Sequence, residues 1–215
     1  MTGFLRKDIY SLCSMYRKNL ILVFLLYTVM TLAMNVTFLL YMMIWLMGFY
    51  SLSAITLDES SGWDRYARTL PASAGQIIGA RFLATLLMVA VGVVFSLAVG
   101  LAACLMRKEA MGELLFAVPV VTAVALVCIG LLLPAAYKWG VEKARNTFLL
   151  LFMLVFFVPA LLEKKMGGEA MLQKAAAFLD EQPPALLLGG ALAIGLAVFF
   201  LGYLLSCTVY RNKEF

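Results

Sequence analysis

From Leu20 to Leu57 the chain runs for 38 residues without one charged side chain, and no other feature limits its fold as strongly. About 20 apolar residues cross the roughly 30 Å of hydrocarbon in a bilayer. The run is therefore too long for one helix even with strong tilt, and it reads as two spans, 20–35 and 37–57, with a very short turn near Asn35 to Thr37. A single kinked span is the alternative, and it would put everything that follows on the other side of the membrane.

Further apolar runs at 82–106, 114–136, 147–162 and 185–207 bring the expected spans to six. Hydrophobic residues make up 64% of the 215 positions and charged ones 13%, far too little polar area to clothe a soluble core. The expectation is an all-α polytopic membrane protein, a single transmembrane domain over 1–215 with six transmembrane helices. That length leaves no room for an appended soluble enzyme domain.

Six spans return both termini to one side. On that side lie twelve Lys and Arg, among them Arg6, Lys7, Arg65, Arg68, Arg81, Lys138 and Arg211, against five on the other; acidic residues divide six and six. Positive charge is retained on the cytoplasmic face, so the expectation is a multi-pass protein of the bacterial cytoplasmic membrane with both termini inside. The net charge of +5 follows from this sorting, and without a basic patch carrying aromatic stacking platforms it does not point to nucleic acid.

Residues 1–18 combine four positive charges with an apolar stripe, Leu5, Ile9, Leu12 and Tyr16, at helical spacing. They read as an N-terminal interfacial helix lying along the inner leaflet; a plain basic topogenic tail also accounts for the charge. No small-residue cleavage pattern follows, so the segment is not a signal peptide.

The side-chain inventory removes several chemistries. There is no histidine, hence no HExxH metal site and no histidine-based hydrolase. The four cysteines are scattered without metal-ligand spacing and suit small buried apolar positions. No GxxxxGK[ST] loop occurs, so ATP is not held here by a Walker motif. Every acidic or basic residue falls in an expected loop or at a span edge, which argues against ion coupling through the helices.

The densest polar stretch is 58–81, between the second and third spans. Asp58 and Glu59 close the second span and Gly62 breaks the chain. Trp63 to Thr69 can form two amphipathic turns, and Leu70-Pro71 stops them, because proline disfavours helix in the residue before it. Ser73 then caps the next helix. Trp63, Tyr66 and Leu70 share one face, with Asp64, Arg65 and Arg68 toward the other. An interfacial loop anchored by Trp and Tyr fits the same residues.

The order Glu59, Trp63, Leu70-Pro71, Ser73, Ile77-Ile78, Arg81-Phe82 directly after the second span resembles the permease subunits of ABC-2 type exporters, in particular short six-span bacterial permeases similar to exporters of phenol-soluble modulins and other amphipathic peptides. The resemblance implies a cytoplasmic coupling helix, Trp63 to Thr69, that docks on a separate P-loop ATPase, with a second contact at Tyr137 to Asn146. The ATPase-coupling residues it implies are Glu59, Trp63, Asp64, Arg65, Tyr66, Arg68, Thr69, Leu70, Pro71, Lys138 and Glu142. ATP and Mg would sit on that partner and no cofactor on this chain. Two membrane subunits are implied, a second copy or a related permease.

The implied substrate path runs between the two membrane subunits. Met30, Met34, Met42, Met43 and Met47, with Phe38, Tyr41 and Trp45, would give it an adaptable apolar lining suited to amphipathic peptide cargo; helix packing or lipid contact explains each of them separately. Residues 163–184 carry an apolar stripe, Met171, Leu172, Ala175, Phe178 and Leu179, expected as an extracytoplasmic helix. Gly189, Ala193 and Ala197 have the small-residue spacing that allows close packing of the last span. The reading from a different class is a non-transporting scaffold or immunity protein that binds a peptide without ATP.

Overall fold

The computed structural model describes residues 2–108, 111–150, 153 and 183–212. Among them every regular element is a helix: α1 (Thr2–Met34), α2 (Phe38–Ser61), α3 (Trp63–Thr69), α4 (Ala74–Arg107), α5 (Gly112–Trp139), α6 (residues 141–150) and α7 (Pro184–Asn212). Five of these, α1, α2, α4, α5 and α7, are long and apolar enough to cross a membrane. The expected span 147–162 and the expected outer helix 163–184 lie almost wholly outside the described residues.

The turn between the first two spans falls at residues 35–37, where Asn35 has φ 59°. Asparagine tolerates this left-handed conformation because its short amide can bond locally. One boundary differs from expectation. Residues 1–18 do not form a helix separate from the first span: α1 continues through Lys18 and Asn19 for 33 residues, about 50 Å. Its stripe packs on protein, with Leu12 buried in the cluster that also holds Ala54 and the Tyr16 ring 4.9 Å from that of Tyr50. The polar stretch 58–81 is mostly helical, as its stop and cap residues predict. It contains the last turn of α2, all of α3 and two turns of α4, leaving only Gly62 and residues 70–73 outside helices.

Local chemistry explains these boundaries. Gly62 sits at φ 68° and its N–H closes on the Asp58 and Glu59 carbonyls, a glycine stop of the usual kind. Leu70 is extended before Pro71. Ser73 and Gln76 then form a reciprocal capping box: the Gln76 N–H donates to Ser73 Oγ at 3.3 Å, and the Ser73 N–H to Gln76 Oε1 at 3.2 Å. This satisfies two N–H groups that a helix start leaves unpaired.

Within lipid, helices associate through close packing and polar contacts rather than through a solvent-driven effect. The core accordingly gathers Leu40 and Ile44 of α2, Ile78 and Phe82 of α4, and Ile129 and Leu133 of α5. The Ser96 hydroxyl ties α4 to α2, lying 2.6 Å from the Leu40 carbonyl oxygen and 2.8 Å from that of Gly92.

The most extensive helix pair is α5 with α7. A Cβ built on Gly202 would overlap the Gly130 carbonyl oxygen, and one on Gly195 would stand 2.9 Å from that of Ala123. Both pairs recur at seven-residue spacing, the period of a left-handed helix pair. Pro134 has no N–H, so the Gly130 carbonyl four residues earlier lacks its intrahelical donor, and the Gly202 backbone sits against that exposed oxygen. The close-packing stripe of the last span is thus Gly195, Phe199 and Gly202. Gly189, Ala193 and Ala197 are on its exposed side, because the contact follows the seven-residue repeat and not the four-residue one.

Candidate functional site

Both ends of the chain approach one end of the bundle, where Phe4 of α1, Trp63 of α3, Tyr137 of α5 and Tyr210 of α7 line a common cavity. Here α3 lies between the last turn of α2 and the first of α4. The Trp63 and Tyr66 rings are 5.4 Å apart on one face, as their spacing predicts. Tyr66 is exposed, Ala67 is buried, and the Thr69 hydroxyl donates to the Tyr66 carbonyl at 2.8 Å. Glu59 and Pro71 are exposed, and Leu70 is half-buried. Asp64, Arg65 and Arg68 lie on α3, with side chains outside the described residues.

Against this helix the structure assembles an ion cluster from three elements. Lys7 Nζ donates to both carboxylate oxygens of Asp58, at 2.7 and 2.8 Å, and lies 3.1 Å from Asp8. Arg81 Nε is 3.0 Å from Asp8 Oδ2, and Arg81 Nη2 donates to Asp58. Only 5–10% of the Asp8, Asp58 and Arg81 side chains is exposed, against 25% for Lys7. Two positive and two negative charges cancel, which is the condition under which such burial is tolerable. The Lys7 ammonium also stands 4.5 Å from the centre of the Trp63 ring, within cation–π range.

These charges keep to the ends of their helices, at the edges of the expected spans, yet they are not solvated. Asp8, Asp58 and Arg81 lie within helices and are buried. Each occupies the inward face of its helix: Asp8 one turn from Leu12, Asp58 one turn from Ile55, Arg81 one turn from Ile78. That interruption of an apolar face was the sequence signal available for them. Phe82, beside Arg81, points elsewhere, its ring 5.0 Å from Phe199 and 5.7 Å from Tyr203. Adjacent residues thus serve two contacts, the ion cluster and the α7 seam.

The cavity bounded by the cluster measures about 10 Å³, the room of one water molecule. It is too small for a cargo or a nucleotide. Among the described residues no group of three His, Cys, Asp or Glu is placed to hold a metal ion.

The turn from α5 to α6 comes to the same end. Gly140, with φ 85°, donates its N–H to the Ala136 carbonyl at 2.9 Å. Lys138 and Glu142 are exposed on either side of it, and Lys138 Nζ is 5.5 Å from the Trp139 ring centre.

The residues expected to line a path divide. Met43 and Met47 are fully buried in the core, between α1, α2 and α4, and line nothing. Met34 and Phe38 are exposed across the 35–37 turn; Met30, Tyr41, Met42 and Trp45 are half-buried. Trp45 stacks on Phe49 at 6.1 Å, and Phe49 in turn meets Phe148 of α6.

A family model described as ABC-2 family transporter protein matches residues 3–211, nearly the whole chain. The chain belongs to the ABC-2 transporter family. Comparison with curated proteins and with solved structures found no match. As an ABC-2 permease it is a membrane transport component, and membership implies an ATPase partner and a membrane setting. In this ABC-2 protein the match takes in α1 through α7, including the α3 helix and the cluster of Lys7, Asp8, Asp58 and Arg81.

Proposed function

We propose that this chain is the permease subunit of an ATP-driven exporter in the bacterial cytoplasmic membrane, with both termini cytoplasmic, moving amphipathic peptides or other lipophilic cargo outward. A separate P-loop ATPase binds ATP and Mg. Two permeases, identical or related, enclose the path, and α3 is the coupling helix. The observation that carries the reading is α3 itself: a seven-residue helix, stopped by Gly62 and by Leu70-Pro71, presenting Tyr66 outward at the end where the termini meet. A short helix set across the mouth of a helical hairpin suits a rigid part that an external subunit can push. Lys138 and Glu142 at the α5–α6 turn supply the second contact.

The test is purification of the tagged protein from its native membrane in mild detergent, with identification of co-purifying chains and an assay of vanadate-sensitive ATP hydrolysis. A stoichiometric P-loop ATPase supports the reading. An ATPase-free preparation that still confers its phenotype replaces it with a peptide-binding scaffold or immunity protein.

A further inference from the structure

We propose that Lys7 is a positioning residue that clasps α3 to α1 and passes the displacement of one helix to the other. This inference rests on α3 being the coupling helix and adds the route by which its movement enters the membrane-spanning part.

Three observations carry it. The Lys7 ammonium touches the Trp63 ring on one side, 4.5 Å from its centre, and the Asp58 carboxylate on another, at 2.7 Å. It is therefore the group through which α1, α2 and α3 meet at one point. Asp8, the next residue on α1, is paired with Arg81 of α4, so the first turns of α1 are bonded to both helices that flank α3. Finally, α1 is one uninterrupted helix from Thr2 to Met34, and only 6% of its most apolar stretch is buried. A helix so lightly buried can bow when one end is pushed, even though Arg107 of α4 holds the Leu32 carbonyl at its other end.

The contacts have different strengths, which gives the clasp a direction. The Arg81 pairs are buried and fix α1 to α4. The Lys7–Trp63 contact is partly open to solvent and joins the one element that an outside subunit would move. A push on α3 thus reaches α1 through Lys7, while the Arg81 pairs hold the pivot.

The experiment uses the full permease with its ATPase in nanodiscs, spin-labelled at native Cys13, which is exposed on α1, and at Met111→Cys near the opposite end, with the other cysteines replaced by alanine. Distances are read without nucleotide and with ATP and vanadate. A nucleotide-dependent shift is expected in the parent, retained in Lys7→Arg and lost in Lys7→Met, with the ATPase still bound in all three. An unchanged shift in Lys7→Met overturns the clasp, as does its absence from the parent. Should Lys7→Met fail to accumulate, Trp63→Leu leaves the ion pairs whole and removes the aromatic face; loss of the shift there with the ATPase still bound supports the clasp, and its retention overturns it. If Trp63→Ala changes neither ATPase retention nor the shift, the docking role of α3 fails as well. If Trp63→Ala abolishes the shift while Lys7→Met keeps it, the clasp fails alone.

Discussion

The Gly130 carbonyl oxygen blocks the place that the first side-chain carbon of any residue larger than glycine at position 202 would take. The obstacle is backbone, so α5 and α7 must shift apart there to admit it. Gly202→Ala is therefore expected to destabilise the protein by about 1–3 kcal/mol, the usual effect of overpacking. Gly189→Ala, with nothing within 4 Å, is expected to leave it unchanged. Thermal melting in detergent, followed by size-exclusion of the surviving fraction, compares the two; equal melting would refute the close approach.

Arg81 and Lys7 together balance two buried carboxylates. Arg81→Met leaves Lys7 alone against Asp8 and Asp58, and removal of one side of a buried pair commonly costs about 3–5 kcal/mol. Adding Asp8→Asn to Arg81→Met leaves one positive charge against one negative and is expected to recover part of the loss. Membrane-inserted yield and melting temperature of the single and double variants measure this, and a double variant no better than the single would show that the cluster is held by something other than charge balance.

Trp63→Ala and Arg68→Glu are expected to abolish export while leaving the protein inserted and folded. ATP hydrolysis by the partner then continues without cargo movement. Transport into inverted vesicles, measured alongside hydrolysis, tests this, and full transport in both variants would remove α3 from the coupling role.

The capping box makes a smaller, local prediction. Ser73→Ala loses the acceptor for the Gln76 N–H and is expected to weaken the start of α4 by about 1 kcal/mol. Hydrogen exchange at residues 75–77 should accelerate about fivefold, with exchange deep in α4 unaltered. No acceleration would mean that the neighbouring chain, and not the serine, holds that turn.

What the sequence made legible follows the range of the forces involved. The start and stop of α3 at Trp63 and Thr69, the turn at residues 35–37 and the Ser73 cap were readable because each depends on one or two neighbouring residues: a glycine, a proline, a hydroxyl. The apolar runs likewise marked five helices, since hydrocarbon thickness sets their length. The cluster of Lys7, Asp8, Asp58 and Arg81 was not read, because its members are up to 74 positions apart and gain their meaning only when three helices meet. The packing face of the last helix was left open for a similar reason: several small-residue spacings fit the sequence equally, and only the bare Gly130 carbonyl before Pro134 selects Gly202.

Arg107, at the far end of α4, donates to the Leu32 carbonyl at 3.1 Å and to the Asn35 amide oxygen. Arg81 and Arg107 are twenty-six residues apart on α4, and Asp8 and Leu32 twenty-four apart on α1, about 39 and 36 Å at 1.5 Å per residue. The two helices run in the same direction, so α4 grips α1 with an arginine at each end, like a rod in two brackets. A slip of α1 by one turn, about 5.4 Å, would empty both brackets at once, whereas a swing of its middle disturbs neither. The freedom left to α1 is to bow sideways, not to slide.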